Sequence, residues 1–370
     1  MSLCLITLRA SYYRQAIYRK MAEALNCDFY SGNDLRTLNK IPLIDFSTFP
    51  TKHKTLTAFW FFKSRYYWQK GVLNLLGKYD ISILTGDPFC VSTWFFSLFN
   101  KLFFRKKVVF WTHGWYGHET YIKKIIKKIF FSLSDRILVY GDRAKDLMIK
   151  EGINASKLYP VHNSLDYDTQ NEIIKHMPSN NPIAEHFKND YPTIFFSGRL
   201  TAPKKIDLLV KAVSQLKDEG VNINCVLMGN GSEKQKLESL VNELSLDDRF
   251  WFYGPCYDES TIGSMYWNAA ICVSPGNVGL TAIHAMTYGC PVITHNNFAY
   301  QMPEFEVIVP GKTGDFYEYG NIPSMKEMVK KWICNSMQDK LLVRKECQDV
   351  IQQGWTPDYQ LKIIKECCNF

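Results

Sequence analysis

The chain has 370 residues, more than one hydrophobic core usually serves, so two domains of ordinary size are expected. With 46% hydrophobic and 22% charged residues it is neither disordered nor fibrous, and its net charge of +8 accompanies a high aromatic content of 15%. Eleven scattered cysteines without a Cys-x-x-Cys pair, and no opening segment built like a secretory signal, point to a reducing cytoplasm rather than a disulfide framework.

In chain order the first half offers short apolar runs at SLCLITL (2–8), ISILTG (81–86), KVVFWTH (107–113), RILVYG (136–141) and KLYPVHN (157–163). The second half continues with TIFFSG (193–198), INCVLMG (223–229), FWFYG (250–254), ICVSP (271–275) and PVITHN (291–296). Amphipathic helical patterns separate these runs, which predicts an α/β fold of two Rossmann-like domains, each with a parallel sheet, facing across a cleft. HMPSNNPIAEHFKNDYP (176–192) is polar and proline-rich and reads as the connection between them. The expected domains are therefore 1–180 and 181–345, with a helix in 346–370 packing back toward the first.

Ligands of open parallel sheets bind beyond the carboxyl ends of the strands. In FFSGRLTAPKKIDLLVKAVSQL (195–216) a buried run ends at Gly198, and Arg199, Lys204 and Lys205 follow before a helix. Cations in that setting suit a diphosphate, Arg forking onto two oxygens and Lys acting as a point charge, although a Lys-Lys pair alone would read as a solvated loop. CVLMGNGSEKQKLESLV (225–241) repeats the pattern with Gly229 and Gly231, but lacks the three-glycine spacing of a dinucleotide fingerprint. In PGNVGLTAIHAMTYGCPVITHNN (275–297), Gly276 and Gly279 let backbone approach a ligand, and the amides of Gly279, Leu280 and Thr281 open a helix suited to an anion or polyol. His284 falls one turn further in; on spacing alone it reads first as a packed helical histidine.

In order, Gly-Arg-Leu, a spacer and Lys; Gly-x-Gly-x-Glu; FYG; a strand ending Ser-Pro; Gly-Leu at a helix start; YGCPVI; and MPEFEVIVPGKTGDFY resemble the donor domain of retaining glycosyltransferases of family 4, which have the GT-B fold. The resemblance covers 193 to about 320, and YYRQAIYRKMAEAL (12–25), WTHGWYG (111–117), SDRILVYGDRAKDLMIKEGI (134–153) and VHNSLD (161–166) are more loosely similar to that family's acceptor domain. It implies a hexosyltransferase-type enzyme that moves a sugar from a UDP- or GDP-sugar to a glycan or lipid-linked oligosaccharide, with retention of configuration, in surface polysaccharide biosynthesis. The nucleotide sugar would be a co-substrate, with no cofactor and no obligatory metal.

Residue by residue, the resemblance sets Arg199 and Lys204 on the diphosphate, and Lys205 where a glycine is common. Gly198, Gly229 and Gly254 belong to the donor-side turns, with the base near 254–257. His113 would line the reaction centre, making His113, Arg199 and Lys204 the catalytic set, while Tyr13, Arg14 and Trp115 would face the acceptor. The family's Glu-x7-Glu pair is replaced by Gly276 and His284, so His284 would meet the ribose and Asn277 would take over sugar contacts. Glu304 is either a remaining acid near the donor or a helix-start residue. Two rival functions are a nucleotide-sugar epimerase of related fold and a non-catalytic nucleotide- or glycan-binding relative.

YIKKIIKKIFFSL (121–133) sets Ile122, Ile125, Ile126, Ile129 and Phe130 on one helical face and four lysines on the other, the pattern of an interfacial helix. With the acid-free, aromatic and basic stretch at 51–70 it predicts peripheral contact with an anionic membrane, on the inner face of the cytoplasmic membrane. The apolar run at 88–100 is shorter than the roughly 20 residues that span a bilayer. No nucleic-acid recognition motif accompanies the charge.

Overall fold

The computed structural model describes residues 1–32 and 42–369, and within them not the side chains of 334–338. They form two compact units, Met1–Asp166 with Thr356–Phe370, and Tyr167–Trp355.

The first unit is built on eight strands: β1 (Leu3–Thr7), β2 (Cys27–Gly32), β3 (His53–Phe61), β4 (Tyr66–Lys70), β5 (Ile81–Thr85), β6 (Lys107–Thr112), β7 (Arg136–Val139) and β8 (Leu158–Pro160). They lie in the order β4-β3-β2-β1-β5-β6-β7-β8, parallel except for the antiparallel β3/β4 hairpin at one edge. Helices α1 (Gln15–Leu25), α2 (Val91–Phe99), α3 (Tyr121–Ser132) and α4 (Asp142–Lys150) make crossovers. Strand side chains alternate between faces, so Leu3, Leu5, Ile83 and Val109 build one core layer with α1. Cys4, Ile6, Leu84 and Phe110 build the other with Phe96 of α2 and Phe130 and Phe131 of α3.

The second unit begins with α5 (Tyr167–Lys175) and α6 (Pro182–Phe187). Strands β9 (Thr193–Ser197), β10 (Asn224–Met228), β11 (Phe250–Gly254), β12 (Ile271–Ser274), β13 (Val292–His295) and β14 (Gly314–Tyr317) form a wholly parallel sheet in the order β11-β10-β9-β12-β13-β14. Its crossover helices are α7 (Ile206–Asp218), α8 (Lys234–Glu243), α9 (Glu259–Asn268) and α10 (Leu280–Thr287), followed by α11 (Ile322–Gln338) and α12 (Lys340–Gly354). The last helix, α13 (Pro357–Cys368), belongs to the first unit, where Gln360 Nε2 donates to His162 O at 2.9 Å and Arg136 Nη1 donates to Cys367 O at 2.9 Å.

The chain thus passes between units at 166/167 and 355/356, not near 180 and 345. The polar stretch 176–192 lies within the second unit because it folds there: Asn181 caps α6 by accepting from Ile183 N and Ala184 N, and His186 stacks on Trp251 of β11 at 3.8 Å.

Candidate active site

In the second unit the site starts where β9, β10 and β11 end. Gly198 N donates to Met228 O and Gly229 N to Gly254 O, at 2.9 and 2.8 Å, so pairing continues past the strands. At Gly229, with φ +151°, a Cβ would sit 1.9 Å from Gly198 O; only glycine lets these backbones meet. Beyond Gly198 the exposed Arg199 leads into a single 3-10 turn, Ala202–Lys204. Lys205 then takes φ +50°, the left-handed region, which explains the glycine of the resembling family at this place. Its ammonium rests 3.9 Å over the Tyr319 ring.

The loop after β12 closes on this turn. Gly276 N donates to Lys204 O at 2.9 Å, and Lys204 Nζ donates to Asn277 O at 2.6 Å. A Cβ at Gly276 would lie 2.0 Å from Pro203 O and 2.7 Å from Lys204 Cα, so no side chain fits there unless the loop moves. Val278 N is held by Gln301 Oε1 at 2.7 Å, and Asn277 Oδ1 is enclosed without a hydrogen bond among the described residues. The N-terminus of α10, at Gly279, carries no side-chain cap, and Thr281 Oγ1 donates to Ser197 O at 3.2 Å. Leu280, next to it, is partly exposed. Glu304 is buried, its Oε2 at 4.0 Å from the position of a Gly279 Cβ. Burial foremost, with the charge of Arg199, draws the Lys204 ammonium down to about 8 against the opposing pull of Glu304. Gly254, at the end of β11, has φ +91° and open space around it.

His284 finds a partner that sequence reasoning missed. Its Nε2 lies 2.8 Å from Glu259 Oε1, at the start of α9. The same oxygen accepts from the Tyr288 hydroxyl at 2.9 Å and from Gln170 Nε2 at 2.9 Å. Burial would raise the Glu259 carboxyl, but the charge of His284 and these three bonds hold it below the ordinary range. Twenty-five residues separate Glu259 from His284, and an acid in a helix's first turn has its own reading as a complement to the helix dipole, so no pattern joined the two.

In the first unit a cavity of about 550 Å³ opens at the strand ends. Tyr13 and Arg14 line it, with Asp87 after β5, His113 and Tyr116 after β6, and Lys127 of α3. Arg14 donates to the Tyr140 hydroxyl, and its guanidinium lies 5.4 Å from the Trp111 ring. His113 is partly exposed, yet its Nδ1 is enclosed without a hydrogen bond among the described residues; burial, then Arg14 and Lys127, push its pKa down to about 4, so the ring is neutral. Burial also raises the Asp87 carboxyl, although Phe89 N and the Tyr67 hydroxyl bond to it. Trp115 does not line the cavity: it is buried in the core against Phe131, ring centroids 5.6 Å apart, and its partly buried neighbour Tyr116 lines the cavity instead. Asp87, Tyr116, Lys127 and Tyr140 were not picked out from sequence, being single residues on separate elements. Among the described residues no three His, Cys, Asp or Glu side chains converge to hold a metal ion.

Residues 179–354 match the family model described as Glycosyl transferases group 1. This segment is a glycosyl transferases group 1 domain. It contains the whole Arg199, Lys204, Gly276 and His284 arrangement. The chain is 25% identical over 255 residues to an uncharacterized glycosyltransferase of Methanocaldococcus jannaschii, which covers 64% of this chain and 60% of that protein. Among solved structures it is similar to Anabaena HepE in complex with UDP, with a TM-score of 0.73 at 13% identity over 100% of both chains. It is also similar to the lipopolysaccharide outer core galactosyltransferase WaaB, with a TM-score of 0.71 at 16% identity over 100% of this chain and 99% of that one. The two parallel-sheet units are those of the GT-B fold, and the group 1 domain occupies most of the second.

Proposed function

We propose that the protein transfers a sugar from a nucleotide-sugar donor, a UDP- or GDP-sugar, to a glycan or lipid-linked oligosaccharide, with retention of configuration, in building a surface polysaccharide. The observation that carries this is the backbone-tight junction of two loops. Gly276 packs on the Pro203–Lys204 turn, setting Lys204 against the loop that leads into the uncapped α10 N-terminus. As the bond from the sugar to the diphosphate breaks, negative charge gathers on the departing phosphate. Arg199, protonated Lys204 and the amides of Leu280 and Thr281 stabilise that charge.

Glu259 restores a carboxylate next to position 284, where relatives of the resembling family carry one. On this reading His284 and Glu259 together meet the ribose, His284 fixed in orientation by the acid. In the first unit neutral His113 offers hydrogen bonds to the transferred sugar, and Arg14 and Tyr13 meet the acceptor. The likeness to HepE, solved with UDP, and to WaaB supports a uridine nucleotide and a surface-glycan acceptor.

The test is release of nucleoside diphosphate from a panel of UDP- and GDP-sugars with glycan and lipid-linked acceptors, the product's anomeric configuration being read by NMR. Acceptor-dependent release with retention is expected. Inertness toward every donor, or epimerised donor without transfer, would overturn the proposal.

A further inference from the structure

The outer surface of the first unit carries the apolar stripe that the helical pattern of 121–133 suggested. The isoleucine face of α3 points to solvent, Ile122 being 69% exposed and Ile125, Ile126 and Ile129 also exposed. Three of its lysines turn toward the protein instead: Lys127 pairs with Glu119 at 2.7 Å, and Lys124 and Lys128 both pair with Glu151. Phe130 and Phe131 anchor the helix in the core, and the isoleucines stand outside that core cluster.

Neighbouring elements extend this apolar surface. α2 runs into a π-helical turn, Asn100–Phe104, where Leu102 and Phe103 are 62% and 71% exposed. Lys101 Nζ, at 3.4 Å from Ser132 O, ties that turn to the end of α3. On its other side a chain of rings leads away: Phe103 to Phe99 at 5.9 Å, Phe99 to Phe95 at 6.0 Å, and Phe95 to Trp68 of β4 at 5.7 Å. The β3/β4 hairpin so reached presents Phe61 and Phe62 at its tip. Soluble monomers rarely expose so continuous an apolar surface without using it.

The rim identifies the occupant. Lys63 and Arg65 at the hairpin tip, Lys101 and Arg105 on the π turn, and Lys123 on α3 are all exposed. Residues 51–78 and 88–118 contain no Asp or Glu. A second copy seated symmetrically on this face would bring two cationic rims together, whereas anionic headgroups around an apolar interior match both parts of it. Among the described residues no helix is long and apolar enough to cross a membrane, so the contact is one of surface insertion.

We propose that this face docks on an anionic lipid bilayer by inserting the isoleucine stripe of α3, the π turn and the hairpin tip among the headgroups. Because three α3 lysines are engaged by Glu119 and Glu151, insertion rather than charge holds the protein there, and salt weakens the contact without abolishing it. The inference stands apart from the donor chemistry and does not depend on it.

The test is flotation of the full chain with vesicles of phosphatidylcholine containing phosphatidylglycerol, at low and at molar salt. Wild-type protein is expected to float at both. The pair Ile122→Asp with Ile126→Asp, and separately Leu102→Asp with Phe103→Asp, are expected to partition at least tenfold less. Lys63→Glu with Lys101→Glu is expected to lose only the salt-sensitive part. All are exposed positions, so unchanged melting temperature and nucleoside-diphosphate affinity verify the fold in each variant. Failure of the wild type to float at low salt, or flotation of both apolar pairs to the same extent as the wild type, overturns the proposal. So does a dimer in sedimentation that the apolar pairs abolish, which would assign the face to a second copy.

Discussion

A glutamate at position 284 should damage this protein. His284 Nε2 stands 2.8 Å from Glu259 Oε1, so His284→Glu would set two carboxylates at about that spacing beside a carboxylate that already accepts from Tyr288 and Gln170. The substitution removes a hydrogen bond to a charged group, worth about 1.5–3 kcal/mol. Two carboxylates so close do not both ionise, and the repulsion that raises one of them adds to the loss. The Glu259 side chain is 33% exposed, which screens part of this. A loss of about 3 kcal/mol at neutral pH remains, or about 6–12 °C in the melting of a unit this size. The sign with pH follows from the raised carboxyl pKa. The native state binds the extra proton as pH falls, so the deficit shrinks in mild acid. Glu259→Gln added to His284→Glu removes the repulsion and should recover about 2 kcal/mol. Thermal and urea unfolding of the two single variants and the double variant gives the coupling directly. If His284→Glu melts with the wild type at neutral pH, or the double variant is no more stable than His284→Glu, the reasoning is wrong.

Gly276→Ala puts a Cβ 2.0 Å from Pro203 O; it should cost about 1–3 kcal/mol and, by shifting the Lys204 turn, weaken nucleoside-diphosphate binding at least tenfold by calorimetry. Lys204 titrates at about 8 in the free protein, so diphosphate affinity should be flat below that pH and fall above it, and Lys204→Ala should remove that dependence. The His113 pKa is depressed to about 4, so its contribution to stability is complete above the unfolded value of about 6.5 and is lost as pH falls toward 4; His113→Gln should flatten that acid limb in pH-dependent unfolding.

The strands that were legible are continuous apolar runs closed by glycine or a polar turn, such as TIFFSG and INCVLMG, because strands buried on both faces have that composition. β2 was not, its CDFYSG alternating apolar with polar residues. The β3/β4 hairpin was read only as a basic aromatic stretch, since its tip lacks the usual Asn or Gly. Phe62, Lys63 and Ser64 take the left-handed region instead, at φ 49°, 54° and 61°. In the site, Gly198, Arg199, Lys204, Gly276 and Asn277 were visible because they follow strand ends in a fixed order. Glu259 and Lys127 were not, since their roles arise from packing between elements. The apolar stripe of α3 was legible, but the burial of Phe130 and the pairing of the α3 lysines with Glu119 and Glu151 were not, because both arise from packing between elements.

On the proposed function, the Arg199–Lys204 turn holds the diphosphate of a nucleotide sugar. Calorimetric titration of UDP and of GDP into wild-type, Arg199→Ala and Lys204→Ala protein tests it most directly. Saturable binding of at least one nucleotide, weakened tenfold or more in each variant, is the expected result. Absence of binding by both nucleotides, or undiminished affinity in Arg199→Ala, would contradict it.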